Sequence, residues 1–381
     1  MKLLISAGEA SGDLHGARLL SALRRERPDL QAFGMGGERL AEAGLERVLA
    51  SESLSVVGIS EVFEKLPALR AALKRLDAEA RQRRPDAAIL IDFPDFHSLL
   101  SRRLARARIP IVYYVPPQVW AWRAARARTI ARRARRILTL FPFEPAIFQR
   151  VGGDAVCVGH PIVEDVRQGL AAPSPLPPKT RRRLVLLPGS RSAELVRHWE
   201  SMAEGAARLG RRFDLELVAM RAPGLSESLF PGAAERGIRI VASGLHSLLA
   251  SADLAFVASG TATLEAALCG TPMVVGYRTS AFSHAIARAL VRLQWISLVN
   301  IVAGRKVVTE LLQDSLSPEN LEREGAVLLE SPEAAATMKA ELARVAAELG
   351  PPGASQRAAE EILASLRRSS GLTTDVFPLA R

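Results

Sequence analysis

The chain has 381 residues, 48% of them apolar, with 51 Lys and Arg against 40 Asp and Glu and a formal charge of +11. That length and composition give two domains of ordinary size and exclude a disordered chain. Two cysteines, Cys157 and Cys269, with no Cys-x-x-Cys pair, exclude a disulfide framework and a zinc site and indicate a reducing compartment.

Short apolar runs alternate with helical patterns throughout, which predicts α/β with parallel sheets. Lys2 and the run that follows read as a first strand, too short for a signal-peptide core. In the first half strands are predicted at 3–7, 87–91, 111–115, 137–140 and 156–158. In the second half they are predicted at 184–187, 215–219, 238–241, 254–257 and 273–275. Pro173, Pro175, Pro177 and Pro178 suit neither a helix interior nor a central strand, so 169–178 is the expected linker. The expected domains are 1–170 and 180–348, the first completed by a C-terminal helix within 350–381. No run reaches the roughly 20 apolar residues of a spanning helix, so a soluble or peripheral protein is expected.

Two glycine-marked turns carry the chemistry of the second half. Leu187-Pro188-Gly189-Ser190-Arg191 and Ala258-Ser259-Gly260-Thr261 each follow a strand and open a helix. Free N–H groups at a helix N-terminus suit a phosphate, and two such turns suit a diphosphate-bearing donor, a sugar nucleotide above all. Arg191 can clamp the diphosphate, while Ser259, Gly260 and Thr261 offer backbone and hydroxyl donors. Glu265, one turn along, would accept from ribose hydroxyls or stand as a solvated helix residue; the sequence leaves both open. No Asp-x-Asp pair is present, so neither a metal nor a cofactor is expected.

In the first half, the buried run 88–91 ends in Asp92-Phe93-Pro94-Asp95-Phe96-His97. Acids at a strand's carboxyl end sit where α/β enzymes place chemistry. Asp95 is the candidate base, Asp92 orients it or, preferably, caps the next helix, and His97 is a rival base. Gly8, Ser11 and Gly12 form another strand-to-helix turn that suits close approach to substrate, where Asp13 reads as an N-cap. The spacing is not Gly-x-Gly-x-x-Gly, so a dinucleotide fingerprint is absent. Seven arginines between 123 and 136 read as a solvated helix face or as a patch for an anionic membrane surface. With few aromatics interleaved, no nucleic acid is expected.

Taken in order, segments 6–13, 34–37, 91–96, 119–123, 141–144, 158–161, 187–191, 258–265 and 299–305 resemble the lipid A disaccharide synthase family. These are glycosyltransferases with two Rossmann-like domains facing across a cleft (GT-B type). The resemblance implies transfer of 2,3-diacylglucosamine from UDP-2,3-diacylglucosamine to 2,3-diacylglucosamine 1-phosphate, with inversion, to give a β-1,6 disaccharide and UDP. It implies Asp95 as base on the acceptor 6-hydroxyl, and Arg191 with the 259–261 turn on the leaving UDP. It also implies Asn300 and Glu310 as donor contacts. Some family members exchange C-terminal segments, so a homodimer is an expectation, as is a peripheral position on the cytoplasmic face of the inner membrane. Phe93 and His97 stand where smaller or amide side chains are expected. An apolar surface for acyl chains is expected at 56–66. The competing readings are another UDP-sugar enzyme of this fold, such as an undecaprenyl-linked transferase or a UDP-N-acetylglucosamine 2-epimerase, and a non-catalytic membrane-surface binder.

Overall fold

The computed structural model describes residues 1–51, 59–120, 125–174, 176–279 and 294–370, without the side chains of 59–66 and 368–370. The expected acyl surface at 56–66 therefore falls on side chains that are not described, and Trp122, Arg123 and the tail from 371 lie outside the described residues. Two units are formed, Met1–Pro161 with Pro352–Arg381, and Ile162–Pro351.

The first unit runs β1 (Lys2–Ala7), α1 (Ala10–Glu26), β2 (Gln31–Gly36), α2 (Glu38–Glu42), β3 (Glu46–Ala50), α3 (Ile59–Arg83), β4 (Ala87–Ile91), α4 (Pro94–Arg106), β5 (Ile111–Tyr114), α5 (Ala125–Arg133), β6 (Arg136–Thr139), α6 (Glu144–Gln149) and β7 (Ala155–Cys157). The strands form one parallel sheet in the order β3-β2-β1-β4-β5-β6-β7. The inner strands are apolar along nearly their whole length because helices cover both faces. Leu4, Phe33, Leu76, Leu90, Leu100 and Phe148 share the core. The strand order reverses between β1 and β4, so the carboxyl ends of those strands form the switch point where this fold leaves a crevice.

The second unit repeats the plan with α7 (Ile162–Ala171), β8 (Arg183–Leu187), α8 (Ser192–Phe213), β9 (Glu216–Met220), β10 (Ile238–Val241), α9 (Leu245–Ser251), β11 (Leu254–Ala258), α10 (Thr261–Leu268), β12 (Met273–Tyr277), α11 (Leu298–Ala303), β13 (Thr309–Leu312), α12 (Pro318–Glu330) and α13 (Pro332–Glu348). Its parallel sheet has the order β10-β9-β8-β11-β12-β13. The switch point here lies between β8 and β11.

The chain leaves the first unit at Pro161, earlier than the predicted boundary. Helix α7 packs on α9 and α10, so the proline-rich stretch leads from α7 into β8 inside the second unit. A last helix, α14 (Ala354–Ser370), returns to α1. It is held by Arg135 Nε donating to the Ser365 carbonyl at 2.9 Å, the Arg136–Glu361 ion pair at 2.6 Å, and Arg357 Nε donating to the Val158 carbonyl at 2.9 Å.

Candidate functional site

In the second unit, the turns after β8 and β11 open onto one cavity of about 370 Å³ at the switch point. Gly189, Ser190, Arg191, Glu194, Ser259, Gly260, Thr261 and Glu265 line it, with Met220, Ala222 and Leu245 on the apolar side. Gly260 precedes α10 at φ 149°, and a Cβ there would meet nothing within 4 Å. The glycine is thus required by its backbone angle, and the space in front of it stays open. Gly189, at φ 136°, is the equivalent point before α8. The first N–H groups of each helix have no intrahelical carbonyl to bond. Arg191 is 74% exposed, and its guanidinium reaches Glu194 Oε1 at 3.0 Å. The Glu194 carboxylate also accepts from the Ser190 N–H at 3.3 Å. An acid the sequence reading passed over therefore lies across the first turn.

A buried histidine, also missed from the sequence, pins that turn. His198 Nδ1 lies 2.8 Å from the Pro188 carbonyl and Nε2 lies 2.9 Å from the Arg278 N–H. Nε2 also lies 3.1 Å from the Arg278 carbonyl, so Nδ1 donates to Pro188 while Nε2 accepts from the Arg278 N–H in the neutral ring and could donate to that carbonyl in the charged one. Burial pushes the His198 pKa down and favours the neutral ring. The ring thereby ties the β8 exit to the β12 exit.

Ser259 is not available as a donor. Its N–H goes to the Gly276 carbonyl at 3.1 Å and its hydroxyl to the Ile296 carbonyl at 2.9 Å. Thr261 and the α10 N-terminus remain to face the cavity. Asn300 and Glu310 correct the sequence reading in the same way. Asn300 is fully buried, and its amide serves the Val307 and Val308 backbone. Glu310 accepts from the N–H of Ile296 at 3.0 Å, from the N–H and hydroxyl of Ser297, and from Asn300 Nδ2 at 2.8 Å. Both residues brace the 296–297 backbone, onto which Ser259 is bonded, and neither lines the cavity.

In the first unit, the β1–α1 turn is filled rather than open. A Cβ on Gly8 would lie 2.1 Å from the Phe93 ring, and one on Gly12 would lie 3.2 Å from the Ile91 carbonyl. These two glycines let Phe93 and the Ile91 carbonyl approach the β1–α1 turn closely. Asp13 caps α2 rather than its own helix, accepting from the N–H groups of Gly37, Arg39 and Leu40 at 2.6, 3.1 and 3.2 Å.

The acids after β4 also differ from expectation. Phe93, not Asp92, occupies the N-cap of α4. Asp92 stands in the left-handed region at φ 42°, and its Oδ2 accepts from the Ser11 hydroxyl at 2.8 Å. On the neighbouring strand end Val115 has φ 55°, a costly angle for a β-branched residue before proline. Asp95 is 78% exposed and paired with Arg126. His97 points the other way, 98% buried, with Nε2 2.9 Å from Ser6 Oγ and its pKa pushed down to about 3 by burial. His97, the rival base of the sequence reading, therefore does not share a site with Asp95, because the two side chains leave α4 on opposite sides.

The basic stretch is largely spent on internal bonds. Arg126 pairs with Asp95, Arg133 NH1 donates to the Ser98 carbonyl, Arg135 holds α14, and Arg136 pairs with Glu361 and Asp154. Of its described members, Arg128 and Arg132 stay exposed. No described helix is long and apolar enough to cross a membrane. Among the described residues no three His, Cys, Asp or Glu side chains group as metal ligands.

A family model described as lipid-A-disaccharide synthetase matches residues 3–363. The lipid-A-disaccharide synthase of Anaeromyxobacter dehalogenans (strain 2CP-C) is 44% identical over 379 residues, covering 96% of this chain and 98% of its own. Among solved structures, a putative UDP-N-acetylglucosamine 2-epimerase from Listeria monocytogenes aligns with a TM-score of 0.64 at 16% identity, over 98% of this chain and 97% of that one. CalG4, the calicheamicin glycosyltransferase, aligns with a TM-score of 0.63 at 15% identity, over 96% and 98%. At that identity these structures establish the fold, two parallel-sheet α/β domains of the GT-B type. The family match spans both glycine-marked turns, the β4–α4 acids and the first part of α14, and the chain belongs to the lipid-A-disaccharide synthetase family.

Proposed function

We propose that the chain transfers a 2,3-diacylglucosamine unit from its UDP donor to 2,3-diacylglucosamine 1-phosphate, forming the β-1,6 disaccharide with inversion and releasing UDP. The observation that carries this reading is the open cavity where the two glycine-marked turns of the second unit converge with Arg191 and Glu265. The α8 and α10 N-termini and Arg191 meet the charge that develops on the UDP leaving group. Glu265 accepts from the ribose hydroxyls.

Inverting displacement needs one base and no covalent nucleophile. Asp92 is a better base than Asp95. It ends β4 at the switch point, and its strained backbone is the kind of outlier found at active sites. Ser11 engages one carboxylate oxygen and orients the group. Asp95 is committed to Arg126. The acceptor 6-hydroxyl gives its proton to Asp92 as its oxygen bonds to the anomeric carbon and the carbon–oxygen bond to UDP breaks.

Acylated substrates place the protein at the cytoplasmic face of the inner membrane. Leu99, Arg102 and Arg106 lie exposed at helical spacing on α4, and Arg128 and Arg132 lie exposed on α5. One apolar side chain among cations suits an anionic lipid surface. Gln at all four arginines should lower sedimentation with anionic vesicles at low salt, and unchanged binding would remove this surface. The homodimer implied by the family resemblance is read out by analytical ultracentrifugation.

The decisive assay is UDP release from UDP-2,3-diacylglucosamine in detergent micelles, with and without 2,3-diacylglucosamine 1-phosphate and with and without EDTA. Acceptor-dependent release, a disaccharide product and indifference to EDTA are expected. Turnover of unacylated UDP-N-acetylglucosamine without acceptor would instead make the chain an epimerase.

A further inference from the structure

One contact behind the cavity wall is not used by the chemistry above. His246, near the start of α9, places Nε2 2.9 Å from Glu265 Oε1. Both side chains are largely buried, 14% and 18% exposed. Glu265 Oε2 has no hydrogen bond from the described residues, and Glu265 lines the cavity. The other edge of the imidazole lies against α7. A Cβ at Gly169 would fall 1.9 Å from His246 Nδ1 and 2.7 Å from its Cγ. Gly169 sits in a helix, at an ordinary helical angle, where glycine costs stability relative to alanine. Its place in α7 is explained by the imidazole packed on it, not by the backbone. The ring is thus wedged between a helix that has given up a side chain and a carboxylate that faces the cavity.

We infer that His246 is a positioning residue for ribose recognition: held by α7, its Nε2–H fixes the Glu265 carboxylate so that the cavity prefers a ribonucleoside diphosphate to the 2′-deoxy form. The inference rests on the reading of Glu265 as the ribose contact. Without the imidazole, a carboxylate on a helix has several rotamers to choose from. Ordering it then falls to the ligand and is subtracted from the affinity. A ligand lacking the 2′-hydroxyl does not use that bond and is indifferent to the order.

The test measures binding of UDP and 2′-deoxy-UDP by calorimetry to the full chain and four variants. The wild type should favour UDP by about tenfold, the scale of one hydrogen bond to a charged group. Glu265→Ala should abolish that preference. His246→Ala should remove most of it by weakening UDP alone, and His246→Gln, which still carries an N–H donor, should restore part of it. Gly169→Ala, outside the cavity and favourable to the helix, should reproduce His246→Ala by displacing the ring. A preference kept in His246→Ala and Gly169→Ala but lost in Glu265→Ala overturns the positioning role and leaves the ribose reading standing. A preference kept in Glu265→Ala overturns both. Loss of both ligands equally in His246→Ala would show a merely structural residue and overturn the inference.

Discussion

Replacing each acid after β4 in turn separates the two candidate bases. Asp92→Asn changes no volume and suits the left-handed angle, since Asn visits that region as Asp does. Its amide oxygen can still accept from Ser11, which lies 2.8 Å away. The substitution therefore leaves the fold and the cavity of the second unit alone and removes only the capacity to take a proton. Loss of a general base costs about a hundredfold to ten-thousandfold in turnover, or about 3 to 5 kcal/mol in the barrier. Asp95→Asn breaks the Arg126 pair at a position 78% exposed. Such a pair is worth about 1 kcal/mol at most, so turnover should stay within about fivefold of wild type. The assay is acceptor-dependent UDP release under saturating substrates, with UDP affinity measured separately and expected unchanged in both variants. Turnover within tenfold of wild type for Asp92→Asn, with collapse for Asp95→Asn, would return the base to Asp95 and refute the argument from geometry.

Arg191→Ala should weaken UDP binding about tenfold to a hundredfold by removing a charge-assisted contact, and His198→Leu should weaken it about tenfold by releasing the Pro188 turn; unchanged affinity in either would contradict the role. His97 and His160 are both pushed down to about 3 by burial, from an ordinary 6.5. Unfolding therefore takes up protons between those values, and stability should fall as pH drops through this window, by up to about 1.4 kcal/mol per pH unit for each ring. Denaturant titrations at pH 7.5 and 5 should show the fall, with a shallower slope in His97→Gln; equal slopes would refute it. The Cys269 thiol, pushed up to about 12 by burial and then by the Glu265 charge, should resist Ellman's reagent at pH 8 until the protein is denatured, and rapid labelling of the native chain would show the site to be open.

The sequence makes the apolar strands plain and hides the mixed ones. Strand β4, with five buried apolar residues, and β10 fall at the predicted positions. Strands β2, β3 and β13 are not predicted because their side chains do not read as strand. In β2 two glycines imitate a turn, and Gly34 is there because a Cβ would lie 2.0 Å from the Ile5 carbonyl. Strand β3 carries Glu46 and Arg47 at an exposed edge, and β13 places Glu310 under the 296–297 backbone. The two glycine-marked turns are legible because strand, glycine and helix pattern are local properties. Direction is not. Periodicity puts Asp95 and His97 on one helix turn, but only the packed fold sends one to solvent and the other to Ser6. The bracing roles of Asn300, Glu310 and His198 depend on backbone groups in other loops, 7 to 80 residues away, that no residue pattern marks.

The two units share a strand order and a switch point, so topology alone would give each a nucleotide site. The filling of the turns decides between them. After β11, Gly260 leaves open space before a helix N-terminus, and the facing turn after β8 supplies Arg191. After β1, the counterpart of β8, Phe93 lies on Gly8 and the Ile91 carbonyl lies by Gly12, whereas at Gly189 it is the Glu194 side chain that stands closest. A carbonyl oxygen and an aromatic ring cannot solvate a phosphate, and Asp92 adds negative charge there, whereas Glu194 in the second unit is paired with Arg191. The Asp92 carboxylate can take a proton from a neutral hydroxyl. On the proposed reading, the first unit keeps the geometry of the crevice but offers a carboxylate where the second offers an open helix N-terminus. The glycines of its β1–α1 turn serve packing, whereas Gly260 leaves open space before α10. Restoring room at the first turn tests the point directly: Phe93→Ala should not create UDP affinity in an Arg191→Ala background, because the Asp92 carboxylate remains, and recovery of UDP binding there would mean that steric filling alone separates the two units.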